Sequence, residues 1–257
     1  MEDKIESLEE VILQLNKVAM NYLGLENFKK AKLLLQRAEG LINMPQPKRV
    51  VTNKLKLIAI TYNNLGCFYK KKKQYKTSLE YLKRALSIEK QRGVQGVSLA
   101  SSYLNICAVL SAQKKHEEAF NFAQQALKEL SQNSQNTQED LTTHVITFHN
   151  AGVELEYMKK LDESITYFQR GYELAVRSLG RQHPLTRSVE QVYLSAVNRS
   201  SNLSTLHLKR HHLRYRKKVS TIARHTSTKL PGIASNPTRR SSSVRNYATD
   251  PRRVCVT

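Results

Sequence analysis

The sequence predicts an all-α solenoid of about four paired-helix repeats plus a capping helix, followed by a disordered basic tail. Two observations carry that prediction: one set of marked positions recurs four times at nearly constant spacing, and the composition is poor in strand punctuation. The 257 residues are 40% hydrophobic, enough to bury a core, yet contain only 9 Gly and 6 Pro, too few for the frequent turns of an all-β chain.

The recurrence is clearest around Gly66 in YNNLGCFY, Cys107 in YLNICAVL and Gly152 in FHNAGVEL, with a weaker first copy at Ala19 in LNKVAMNY. Counted along the chain, these small residues stand 47, 41 and 45 residues apart, the spacing of a repeat protein. Each has an apolar residue four before it (Leu15, Tyr62, Tyr103, Phe148) and a bulky one three after (Tyr22, Tyr69, Leu110, Leu155). A second small residue comes twelve after (Ala31, Ser78, Ala119, Ser164). Beyond it come a mostly bulky position (Leu35, Leu82, Phe168, with Ala123 the exception) and a third small one (Ala38, Ala85, Ala126, Gly171).

Offsets of three and four place the marked residues of each half on one face of a helix. A short polar stretch such as LENFKK or AQKKHEE separates the halves, so each copy reads as two antiparallel helices. Small residues let the two backbones approach closely while large ones fill the space beside them. The copies span about 8–45, 54–92, 97–131 and 141–178. Cys67 and Cys107 lie at or beside small-residue positions, as packing thiols do.

This pattern resembles the tetratricopeptide repeat over roughly Leu8 to Val197, although the usual Trp is replaced by Tyr, Phe or Leu and the terminal Pro is missing except near Pro45. The copies exceed the minimal unit of about 34 residues. Their length resembles that of kinesin light chain repeats, as does SLGRQHPLT, Ser178 to Thr186, which is similar to that subfamily's Leu-Gly-x-x-His-Pro connector. A final helix at about 185–198 would then cover the open end of the stack, completing a repeat domain over 1–198.

Residues 199–257 differ in kind. The net charge of +21 is uneven: residues 1–198 hold 28 Lys and Arg against 20 Asp and Glu, whereas the tail holds 14 against Asp250 alone. With little apolar surface to offset chain entropy, the tail is expected to be disordered until bound. Its cations, notably Lys209, Arg210, Arg214, Arg216, Lys217 and Lys218, would be drawn to a polyanion. Only Tyr215 and Tyr247 are available to stack on bases, which ranks nucleic acid below a protein polyanion such as acidic tubulin tails. Leu208, Leu213, Val219 and Ile222 make no coherent apolar face for anionic lipid. RNA bound through the phosphate backbone is the alternative partner.

Asn64, Asn105 and Asn150 each stand two before the small residue, with Lys17 in the first copy. The family resemblance implies that this position faces the concave surface, where a ladder of Asn amides holds an extended peptide; an amide offers both donor and acceptor to a backbone. Lys17, Lys70 and Lys71 near the same groove would favour an acidic peptide. The expected function is a non-catalytic scaffold or adaptor. The resemblance together with the polycationic tail implies a microtubule-based setting such as a ciliary axoneme.

No Gly-rich phosphate loop, nucleophile elbow or HExxH is present. His116, His144, His149 and His183 lack Cys or carboxylate partners at metal spacing and read as surface or loop residues. No enzyme activity, metal or cofactor is expected. MEDKIESLEE is acidic and precedes no apolar run long enough for a signal or span, so a cytoplasmic protein is expected.

Overall fold

The computed structural model describes residues 7–44, 53–133 and 137–201. Among these the regular structure is helical: α1 (Leu8–Gly24), α2 (Phe28–Asn43), α3 (Lys54–Lys71), α4 (Tyr75–Gln91), α5 (Val97–Ala112), α6 (His116–Asn133), α7 (Gln138–Tyr157), α8 (Leu161–Leu179) and α9 (184–201). Of the described residues, 7–193 fall in one compact unit and 194–201 in a second; the stack lies in the first. The tail cations from Lys209 to Lys218 lie outside the described residues.

Consecutive helices pair into four hairpins, α1 with α2 through α7 with α8, and α2, α4 and α6 each pack on the odd-numbered helix that follows. The odd-numbered helices also touch across repeats, α1 with α3, α3 with α5 and α5 with α7. No even-numbered pair packs to that extent. A stack held close on one side and splayed on the other curves with the odd-numbered helices on its inner wall.

One bend is built four times. The backbone N–H groups of Asn27, Gln74, Lys115 and Lys160 donate to the carbonyls of Tyr22, Tyr69, Leu110 and Leu155, at 2.8 to 2.9 Å. This six-to-one bond closes a helix end when one residue turns left-handed. That residue is Glu26, Lys73, Lys114 or Lys159, with φ between 58° and 66°. Glycine is the usual choice there; an L side chain costs about 1 kcal/mol. The acceptors are the four bulky residues marked in the sequence.

The first and fourth hairpins start on capping boxes, Ser7 with Glu10 and Thr137 with Asp140. The second box explains why α7 begins at Gln138, three residues before the sequence estimate. The connector SLGRQHPLT also has a physical account. Gly180 takes φ 83° at the end of α8, His183 Nδ1 accepts from the Leu185 N–H at 3.2 Å, and Pro184 opens α9, where its missing N–H is no loss. Val189 joins Val145 and Ala175 in a buried cluster, and Tyr172 donates to Glu190 at 2.8 Å. By these contacts the part of α9 up to Tyr193 covers the end of the fourth hairpin.

The repeated small and bulky positions form the core. Ala19, Gly66, Cys107 and Gly152 are buried, as are the second and third small residues of every copy. A Cβ added to Gly66 would lie 2.5 Å from Leu82, and one added to Gly152 would lie 2.6 Å from the Phe168 ring. Each reference residue thus faces the bulky position sixteen later. Ala123, the exception in the sequence pattern, stands at that position opposite Cys107, in the same buried cluster. Where the first helix carries the larger residue, the second carries the smaller.

Candidate functional site: the inner wall

Buried polar groups stitch the hairpins together along the odd-numbered helices. At the first junction the Asn16 amide, 2% exposed, donates to the Ile12 carbonyl and to Thr61 Oγ1, each at 2.9 Å, and its oxygen accepts from Asn64 Nδ2 at 2.9 Å. At the second, Asn63 Nδ2 donates to Glu89 Oε1 and to Ser102 Oγ, each at 3.0 Å. At the third, Ser111 donates to Glu154, whose other oxygen lies 2.7 Å from His116 Nδ1, and Tyr157 stacks on the His116 ring at 4.4 Å.

The wall places the residues expected from sequence as follows. Asn64, Asn105 and Asn150 sit at equivalent positions on α3, α5 and α7. Asn64 is half-buried and partly engaged by Asn16; Asn150 is half-buried. Asn105 is 5% exposed, and its Oδ1 is buried with no hydrogen-bond partner. Lys17 is exposed on α1, one residue past the amide that joins the network. Lys71 Nζ donates to the Leu23 carbonyl at 3.1 Å, closing the C-terminus of α1, and Lys70 is half-buried in the last turn of α3.

Sequence reasoning missed Asn16, because counting offsets from Ala19 selects Lys17. It missed Glu89, Ser111 and Glu154 as well, since their partners are 26 to 43 residues away. The histidines need correction. His116 does have a carboxyl partner, Glu154, and with His144 and His149 it is partly buried within helices rather than on the surface. His144 stacks on Phe148 at 5.2 Å, and burial holds its pKa below the ordinary value, against the opposing pull of Asp140. His183 is a connector residue, as expected.

Glu89 is a buried carboxyl whose Oε2 has no partner. Burial pushes its pKa above the ordinary 4.5, opposed by hydrogen bonds from Ser102 and Asn63 and by Arg92. A raised folded-state value means that its contribution to stability is fully present below about 4.5 and is lost as pH rises through the raised value. Glu89→Gln imitates the protonated group. The variant is expected to match or exceed the parent in urea midpoint at pH 8, with a flatter profile between pH 4.5 and 8. A parallel pair of profiles would rule out the assignment.

Among the described residues no group of three or more His, Cys, Asp or Glu is placed to hold a metal ion. No helix there is long and apolar enough to cross a membrane.

Two tetratricopeptide-repeat family models match the chain, one over residues 57–128 and one over 146–185. No curated protein sequence matches it. Solved structures share the fold at low identity. BtubC (BKLC) from P. vanneervenii superposes with a TM-score of 0.63 at 15% identity, over 91% of this chain and 89% of that one. The nearly identical TPR-like repeats of a Podosopora anserina protein assigned as a kinesin light chain give 0.60 at 12%, over 88% and 100%. A Rap protein complexed with competence and sporulation factor gives 0.57 at 16% identity; 76% of this chain spans 50% of that one.

Proposed function

We propose that this chain, a tetratricopeptide-repeat protein, is a non-catalytic adaptor that holds an extended segment of a partner protein along the wall of odd-numbered helices. The observation that carries this reading is the line of equivalent amides at Asn64, Asn105 and Asn150, in which the Asn105 oxygen is buried without a partner. A buried acceptor left unpaired costs about 1–3 kcal/mol. A backbone N–H of a bound strand would recover that energy without reading side chains. Lys17, Lys70 and Lys71 would bias the choice toward acidic segments, Lys71 less so because it already bonds Leu23.

In this reading the chain divides into a repeat domain over 1–198 and a basic tail over 199–257, and the tail tethers the adaptor to an acidic assembly. A microtubule-based structure such as a ciliary axoneme, with tubulin tails as the polyanion, is the setting we favour. Likeness to the TPR-like repeats of a protein assigned as a kinesin light chain and the charge of the tail support it. RNA held through its phosphates is the competing partner.

Asn64→Ala with Asn105→Ala is expected to abolish capture of partner peptides from a displayed peptide library, with helicity by circular dichroism unchanged. Retained capture by the folded double variant overturns the groove assignment. Co-sedimentation of the full chain with microtubules, RNA and anionic vesicles at physiological salt separates the candidate targets of the tail.

A further inference from the structure

The positive charge of the hairpins is concentrated in one of them. Residues 53–93 carry eleven Lys and Arg against Glu80 and Glu89, and Glu89 is buried. The third hairpin is balanced at three against three, and the fourth carries four against seven. Some cations of the second hairpin are already engaged: Lys71 bonds the Leu23 carbonyl, Lys72 lies over the Phe28 ring and Lys90 over Tyr103. Lys76 and Lys83 are exposed and have no partner among the described residues.

Those two lysines stand on one face of α4 and line an open cleft of about 670 Å³ with Leu79, Glu80, Gln113 and Lys115. The cleft lies between α4, an even-numbered helix, and the bend after α5, so it is apart from the inner wall. Leu79 gives it an apolar floor packed on the central core. Gln113 Oε1 is buried there without a hydrogen-bond partner. Lys115 pairs with Glu118 at 3.0 Å, both side chains more than half exposed, a contact worth little in water.

We propose that this cleft is a second docking surface, which takes an acidic polypeptide segment carrying one apolar side chain. The apolar group would sit on Leu79, flanking carboxylates would meet Lys76 and Lys83, and a backbone N–H would satisfy Gln113. A nucleic-acid strand fits less well. Its evenly spaced phosphates would meet Glu80, and the aliphatic Leu79 offers no aromatic face for a base.

The test uses the full chain and a peptide of four Glu, one photoreactive benzoylphenylalanine and four Glu, with crosslinks mapped by mass spectrometry at physiological salt. Labelling is expected around residues 76–83 and 113–115, in addition to any on the basic tail. Lys76→Gln with Lys83→Gln should lower it by at least about fivefold, the effect of two exposed charge pairs. Asn64→Ala with Asn105→Ala should leave it unchanged, which separates this cleft from the groove. Labelling confined to residues 202–257, equal labelling of the double lysine variant, or stronger labelling of the cleft by a photoreactive oligothymidylate of equal charge would each overturn the proposal.

Discussion

Gly152→Ala is expected to lower the free energy of unfolding by about 2 kcal/mol, as measured by urea denaturation. The added methyl would lie 2.6 Å from Cε1 and 2.7 Å from Cδ1 of Phe168. Phe168 is 2% exposed within the hairpin, with little room to retreat, and overpacking of this kind typically costs 1–3 kcal/mol. The third hairpin supplies the converse. Ala123→Leu should be destabilising by a similar amount because Cys107 occupies the space that Gly66 leaves open for Leu82. Adding Cys107→Gly should recover much of the loss, since the double variant reproduces the Gly–Leu pair of the second hairpin. Additive losses in that cycle would show that the two positions do not share one volume.

His116→Ala should cost about 2 kcal/mol, the scale of a buried polar group left without one of its hydrogen-bond partners. Glu154 is 2% exposed and is held by Ser111 of α5 and His116 of α6 while belonging to α7. Removing His116 takes away a hydrogen-bond partner and the ring that stacks on Tyr157. Removing both partners should be milder than the sum of the single changes, because a buried polar group is expensive chiefly when its partner is missing. His116→Ala with Glu154→Leu is therefore expected to fall short of additivity by at least about 1 kcal/mol. Full additivity in the denaturation cycle would remove the coupling across this junction.

The network also explains why so much of the wall was hidden in one dimension. Offsets of three and four within a helix can be counted, and they led to six packing positions in each hairpin, of which the three small ones are buried in every copy. The register between neighbouring helices cannot be counted. Alignment on Ala19 puts Lys17 opposite Asn64, yet the side chain that reaches Asn64 is Asn16, because one residue rotates a helical position by about 100°. The bends were legible only as polar gaps. Their left-handed residues are Glu or Lys rather than Gly or Asn, so the usual punctuation was absent. The Gly180, His183 and Pro184 connector could be read directly, since each residue type there answers a local backbone requirement.

By itself, then, the order of residues determined that the chain forms paired helices with alternating slender and bulky contacts, because that information lies within a few residues and repeats four times. Which polar side chains meet across hairpins was decided only in three dimensions. So was the pairing that makes Ala123 the natural answer to Cys107. Both depend on the distance and rotation between helices that are far apart in sequence, and only packing sets those.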